Sequence, residues 1–428
     1  MSQAKEGLHA VPGGVAVRCQ MSQLQNKSFF KSGHFPTLLA AFLYFDLSFT
    51  CWVILGPLGI QIAKALDLDP AHKGLMVATP VLAGALLRLL NGTLADHIGG
   101  KKTGIFSQIV VIVGLLAAWL FGVPGFAAIL GLGVVLGMAG ASFAIALPLA
   151  ARWYPVEHKG KAMGLAGAGN FGTVLAALFA PGLGLAFGWT NVFGIAAGVM
   201  LVVLVLFILL AKDAPDQGPK QDLRVYARVL AMKDTYWFML FYGVTFGGFV
   251  GLASSLPIYF HSQYGLTPVD AGYASAVCVF VGSLFRPIGG WLADRVGGIN
   301  VLTVLYALAA AALVAVSVGL PTVSAALGVF AIAMFALGAG NGAVFQLVPV
   351  RYVREIGVIT GVVGCAGGLG GFYLASSLGF SKQWTGSYQD GFLIFAGLSL
   401  VAFIGINIVR NTWRTNFSRL YAEGSVRI

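Results

Sequence analysis

Runs of roughly 20 apolar residues, the length a helix needs to cross the hydrocarbon of a bilayer, can be cut from this chain twelve times over. They lie near 36–63, 72–95, 103–121, 125–151, 160–187, 189–211, 236–264, 270–293, 300–319, 322–347, 357–379 and 388–410. Only 10% of the 428 residues are charged, 58% are hydrophobic, and the mean hydropathy is +0.87, which excludes the soluble globular classes. The expected fold is therefore an all-α membrane protein of twelve transmembrane helices. The net charge of +11 does not mark a nucleic-acid binder, because the basic residues are spread by loop rather than gathered in a patch. With the N-terminus inside, 21 of the 26 Lys and Arg fall on the inner face, and only Lys64, Lys73 and Lys382 on the outer one. That asymmetry places both termini in the cytoplasm.

The two remaining cations, Arg88 and Arg286, stand inside apolar segments and head the same text, Arg88-(x)7-Asp96-x-x-Gly99 and Arg286-(x)7-Asp294-x-x-Gly297, 198 residues apart. The chain is thus read as two pseudo-symmetric halves of six helices, 36–211 and 236–410. A tail at 1–35, a linker at 212–235 opening Lys-Asp-Ala-Pro-Asp-Gln-Gly-Pro-Lys, and a tail at 411–428 complete it. An arginine at mid-bilayer depth costs about 2.5–3.5 kcal/mol on insertion scales, so it is kept when it is paired or faces a polar cavity. Arg88 precedes Asp96 by eight residues, about 12 Å along a helix, which is deeper than a guanidinium snorkels fully. Both arginines are expected to face a central cavity and bind an anion there. The alternative is that each satisfies helix-end carbonyls. Two arginines by themselves suit a carboxylate as well as an inorganic oxyanion.

Both halves carry Gly-x-Leu-Ala-Asp-(His/Arg)-x-Gly between their second and third helices, from Gly92 to Gly99 and from Gly290 to Gly297. This resembles the loop motif of the major facilitator superfamily. The resemblance implies that Asp96 and Asp294 lock a gate in one conformation. By itself the string also describes a tight turn with a solvated carboxylate. Two glycine-rich strings narrow the family: Gly164-Leu-Ala-Gly167-Ala-Gly169-Asn170-Phe-Gly172, and Gly361-Val-Val-Gly364-Cys-Ala-Gly367-Gly368-Leu-Gly370-Gly371. Glycines three and four apart strip one helix face so that a neighbour approaches closely and can slide, though static packing uses the same spacing. At corresponding places in both halves, with Arg152-Trp-Tyr-Pro155 and Gly340-Asn-Gly-Ala-Val-Phe-Gln-Leu-Val-Pro349, they resemble the signatures of the nitrate/nitrite porter family. Asn170 has Gly367 opposite it, so one half alone supplies that polar group.

The resemblance implies a site for nitrate and nitrite. In it Arg88 and Arg286 bind the ion, Phe143 and Phe246 flank its flat faces, Tyr242 donates a hydrogen bond and Asn170 offers amide donors. A planar guanidinium fork fits a small planar oxyanion in geometry as well as sign. On spacing alone, Tyr242 and Phe246 at i and i+4 read equally as core packing. Asp46, in Tyr44-Phe-Asp-Leu-Ser-Phe, is the one acidic residue placed well inside a span. As a proton carrier it would keep the core charge equal in the empty and loaded states, as symport requires. A fixed counter-ion, or a position nearer the surface, is the other reading.

Cys19, Cys51, Cys278 and Cys365 lack metal-ligand or disulfide-framework spacing. No phosphate loop or mid-membrane histidine is present, so neither cofactor nor metal nor enzymatic chemistry is expected. The reading is a monomeric, multi-pass secondary transporter of the bacterial inner membrane, moving nitrate with protons. Nitrate/nitrite exchange, a nitrate sensor and an organic-anion or drug exporter remain as alternatives.

Overall fold

The second helix of each half starts and stops by the same local chemistry. Asp69 accepts the His72 N–H at 2.8 Å with Pro70 at the first helical position. Thr267 accepts the Asp270 N–H at 3.2 Å, again with proline, Pro268, following. These are N-caps with the ring that a first helical turn tolerates best. Both helices end on glycine at positive φ, Gly99 at 95° and Gly297 at 93°, a backbone region that β-carbons disfavour. The final glycine of the duplicated motif is therefore a turn requirement, which reverses the chain into the next helix.

In the computed structural model, which describes residues 29–214, 223–352 and 355–418, twelve helices are long and apolar enough to span a membrane. They are α1 (Phe35–Val53), α2 (Pro70–Ile98), α3 (Gly100–Phe121), α4 (Phe126–Ala151), α5 (Lys161–Phe187), α6 (Trp189–Leu210), α7 (Lys233–Tyr264), α8 (Pro268–Val296), α9 (Gly298–Ser317), α10 (Val323–Arg351), α11 (Ile356–Thr385) and α12 (Gln389–Thr415). Helix α6 shows why the surroundings must be hydrocarbon. Phe193, Met200 and Phe207 are buried against the bundle, yet Val199, Val202, Val205 and Leu209 on its other face are exposed. A helix apolar all round is stable only where the outer face meets lipid.

Two spans depart from the expected outline. The first ends at Val53 rather than near residue 63, and a separate helix, Gly59–Ala65, follows a turn. Pro57 lies in that turn, where it removes a donor and cannot continue the helix. The fifth changes pitch in mid-course. An α-helix, Val156–Gly167, passes through a 3₁₀ turn at Ala168–Phe171 into the α-helix Gly172–Phe187. Its counterpart α11 runs unbroken. Within the segment read as a linker, Leu223–Ala231 is helical. Cys19 and residues 215–222 lie outside the described residues.

The halves meet through α2 against α11 and α5 against α8, both built on small residues. Gly368 faces Ala85, Gly74 faces Gly379, and Gly272 faces the Ala177 carbonyl and the Pro181 ring. Without a hydrophobic drive between helices in lipid, such close approach is what holds them together. The halves are also in close contact at the membrane face where α2 and α8 begin. There, a β-carbon on Gly74 would lie 2.8 Å from the Gly379 Cα, and Gly56 packs on the Ser254 backbone.

Candidate functional site

Arg88 projects from the middle of α2 and is 1% exposed. Its Nη1 donates to the Gly364 carbonyl at 2.8 Å and its Nη2 to the Gly140 carbonyl at 3.1 Å, so it spans from one half to the other. The Gly140 carbonyl is available because α4 kinks after it: the Ala144 N–H bonds Ala141 at 3.1 Å instead of continuing the α ladder. Arg88 thus does satisfy backbone carbonyls, but in mid-helix, and those bonds leave its buried Nε without a partner.

Arg286 reaches the same place from α8. The centroid of the Phe143 ring lies 5.3 Å from the guanidinium carbon of Arg88 and 5.5 Å from that of Arg286. The two cations therefore sit within about 11 Å of each other, the sum of those distances, with one aromatic face between them. Phe246 adds a second face to Arg88 at 5.4 Å. It stacks on Tyr242 at 5.1 Å and 6°, Tyr242 meets Phe345 edge-on at 4.8 Å, and Phe345 lies 6.1 Å from Phe143. Four rings so enclose the arginine pair. Among the described residues neither arginine has a carboxylate partner. The Nη1 of Arg286 and the hydroxyl of Tyr242, like the Nε of Arg88, are buried donors with no acceptor. Orphan buried donors are rare in folded proteins. Three lie around one arginine pair.

Asn170 lies in the 3₁₀ turn of α5 and its Nδ2 donates to the Ser283 Oγ at 3.4 Å, one helical turn before Arg286. Its Oδ1 has no partner. The sequence reading singled out neither Gly140 nor the Phe345 and Asn341 side chains, although the last two stand in the Gly340–Pro349 string. Gly140 and Phe345 carried no polar or charge signal. Asn341 carried one: it stands four residues before Phe345 on α10, is 1% exposed, and neither of its side-chain polar atoms has a partner.

The glycine strings separate by position. In α11, a β-carbon on Gly364 would sit 3.0 Å from Cδ of Arg88, and one on Gly367 would sit 2.7 Å from the Tyr242 ring. Gly368 abuts Ala85, and Gly361 has only Leu89 at an ordinary 3.5 Å. In α5, Gly169 abuts Phe45, and Gly172 packs on the backbone of Asp46. Gly164 and Gly167 do not fit the expected close crossing in this conformation. Nothing lies within 4 Å of a β-carbon placed there, because they precede the 3₁₀ turn and stand clear of α1.

Asp46 is 6% exposed and sits at that α1–α5 crossing, where its carboxylate faces the Gly172 N–H. It is not the counter-ion of either arginine. Its Oδ atoms make none of the ion pairs present among the described residues.

The duplicated motif is used unequally. Asp96 pairs with Arg152 at 3.3 Å. Asp294 is exposed and makes no ion pair among the described residues. Arg351, the last residue of α10 as Arg152 is the first after α4, pairs instead with Asp234 at 2.6 Å, and Asp234 also accepts from the Trp413 indole at 2.9 Å. Asp213, another residue the sequence did not single out, accepts the Lys101 backbone N–H at 2.8 Å and so caps the start of α3.

Residues 38–375 match the sequence profile described as the Major Facilitator Superfamily. Over 364 residues, covering 83% of this chain and 91% of the other, the protein is 35% identical to the probable nitrate/nitrite transporter NarK2 of Mycobacterium tuberculosis. The chain belongs to the nitrate/nitrite porter family of the major facilitator superfamily. Two further relatives of this porter are the nitrite extrusion protein of Bacillus subtilis, 31% identical over 83% of this chain and 89% of that one, and the probable nitrate/nitrite antiporter NarK1 of Thermus thermophilus, 28% identical over 86% and 89%. The fold is that of the xylose transporter XylE of E. coli in a partially occluded inward-open conformation, with a TM-score of 0.71 at 13% identity, covering 87% of this chain and 97% of that one. The porter is a multi-pass protein of the bacterial cell membrane and a transporter rather than an enzyme.

Proposed function

We propose that this porter moves nitrate and nitrite by alternating access, with the ion held between Arg88 and Arg286. The observation that carries the reading is a pair of arginines sharing the Phe143 ring, without carboxylate partners and with three buried donors left unsatisfied. A flat oxyanion can lie beside the Arg88 guanidinium, against the aromatic wall, and take donors from Arg286, Tyr242 and the Nε of Arg88. Charge-assisted bonds of this kind contribute about 1.5–3 kcal/mol each. A phosphate or sulfate would bring more charge and a larger desolvation cost to a site walled by four rings, so a singly charged ion is favoured.

On this proposal both termini face the cytoplasm, the close-packed Gly74–Gly379 end is the outer gate, and Asp96–Arg152 braces the N-terminal half as the halves rock. Asp46 carries the coupling proton. With it ionised the empty core carries one net positive charge, and with nitrate bound and Asp46 protonated it carries one again, so both forms can return across the membrane. A second reading, obligatory nitrate/nitrite exchange, gains support from the absence of contact between Asp46 and the arginine pair. Nitrate and nitrite fluxes in proteoliposomes decide between them. Symport gives accumulation driven by an imposed pH gradient with nothing but buffer on the far side. Exchange gives uptake only when nitrite or nitrate is loaded opposite, and no flux of either ion under any gradient would overturn both readings.

A further inference from the structure

At the closed face, above the Gly74–Gly379 crossing, a cleft of about 150 Å³ lies between the halves. It is separate from the arginine site and holds room for a small ion with several waters. Lys73, from the first turn of α2, lines it on one side. Lys382, from the last turn of α11, lines it on the other. Ser255, Tyr259 and Ser262 of α7 and Tyr388 complete the polar wall. Among the described residues no carboxylate lines the cleft. Asp69, one turn before Lys73, is engaged by His72 at 2.8 Å. Lys382 donates to the Gly386 carbonyl at 2.7 Å and keeps two further protons, while Lys73 makes no ion pair among the described residues. The Ser255 hydroxyl is the independent sign of a ligand: the residue is 6% exposed, lines the cleft, and its Oγ has no hydrogen-bond partner.

We propose that this cleft is a second anion site, which takes a small monovalent inorganic anion and clips the two halves together at the closed face. The chemistry is that of two lysines lining one cleft from opposite halves, Lys382 held at its rim by the Gly386 carbonyl and the Tyr388 ring, beside a buried hydroxyl without an acceptor. Unbridged, the two like charges oppose closure; bridged by an anion, they favour it. The site exists only while this face is shut, because its walls belong to both halves. Anion on that side therefore stabilises this conformation by mass action, independently of occupancy between the arginines.

The test uses the full chain with Arg286→Gln, which disables the central site, in nanodiscs of phosphatidylcholine alone. Spin labels at Ala65→Cys and Gln383→Cys, both exposed on the closed face, in a background lacking the native cysteines, report the distance between halves. Nitrate or chloride should enlarge the short-distance population by about twofold or more relative to gluconate at equal ionic strength. Lys73→Gln and Lys382→Gln should each abolish that response, and Lys73→Arg should retain it. No response, or the same response in the glutamine variants, overturns the proposal. A response that appears only when phosphatidylglycerol is added assigns the lysines to lipid headgroups and overturns it too. Nitrate flux is measured separately on the native chain, so failure of the transport reading would leave this result standing.

Discussion

Replacing each central arginine by lysine should separate two roles that the sequence presents as one. Arg88 donates to carbonyls on α4 and α11, at 3.1 and 2.8 Å, whereas Arg286 makes no such bond to the backbone. A lysine ammonium keeps the charge but loses the fork. At Arg286 the loss falls on the bound anion and on one ring contact, with Phe143, that an ammonium can keep in part. One charge-assisted hydrogen bond, about 1.5–3 kcal/mol, corresponds to nitrate affinity weakened roughly ten- to a hundredfold, with the melting temperature of the ligand-free protein unchanged. At Arg88 the same weakening is expected, together with loss of at least one interhelical bond and of its stacking between Phe143 and Phe246, worth about 0.5–2 kcal/mol. Arg88→Lys should therefore also melt at a lower temperature without ligand. The assay is thermal unfolding of detergent-purified protein across a nitrate titration, which yields the ligand-free melting temperature and the affinity together. Equal melting temperatures for the two variants, or native nitrate affinity in Arg286→Lys, would refute the division of roles.

Asp46→Asn should lose accumulation driven by a pH gradient while retaining nitrate/nitrite counterflow; undiminished proton-driven uptake would exclude Asp46 as carrier. Gly367→Ala should reduce transport severely, since its β-carbon meets the Tyr242 ring at 2.7 Å, whereas Gly167→Ala should preserve it, with nothing within 4 Å; flux assays returning the reverse order would discredit the glycine assignment. The Asp69 cap should stabilise α2 in a pH-dependent way. The His72 backbone N–H holds its carboxyl below the usual carboxylate range, so the contribution, about 1 kcal/mol, is present above the ordinary carboxylate pKa of about 4 and fades as pH falls below it. Thermal scans of Asp69→Ala against the parent should converge under acid conditions, and a gap that widened there would reverse the sign of this argument.

Hydrophobic run length sufficed for the twelve spans because each must match one bilayer thickness, and duplication sufficed for the halves because Arg88 and Arg286 repeat with their flanking text. The aromatic wall was legible only where a family resemblance pointed to it. Phe143, Tyr242 and Phe246 have no periodicity that sets them apart from the 31 phenylalanines and 13 tyrosines of the chain. Phe345 stands inside the quoted Gly340–Pro349 string, yet its ring is ordinary in an apolar helix, and the Gly140 carbonyl is backbone, exposed by a kink that no residue type announces. That Asp96 is paired and Asp294 makes no ion pair among the described residues also escaped a reading based on repetition. Identical strings predict identical partners, but Arg351, at the end of α10, pairs with Asp234 at the start of α7. Gly164 and Gly167 show the converse failure, since spacing identifies a bare helix face without saying which segment of it meets a neighbour.

The bond from Arg88 to the Gly364 carbonyl joins opposite halves of the molecule, so any rocking motion that parts α2 from α11 must release it. On the proposed mechanism, a guanidinium nitrogen freed in that way becomes a donor for the substrate. Backbone and anion then compete for one hydrogen, and the loaded ion must be gripped unequally by the two conformations, by as much as the bond contributes. By reciprocity, the gradient of affinity between the two faces of the membrane is also the bias the ion exerts on the equilibrium between them.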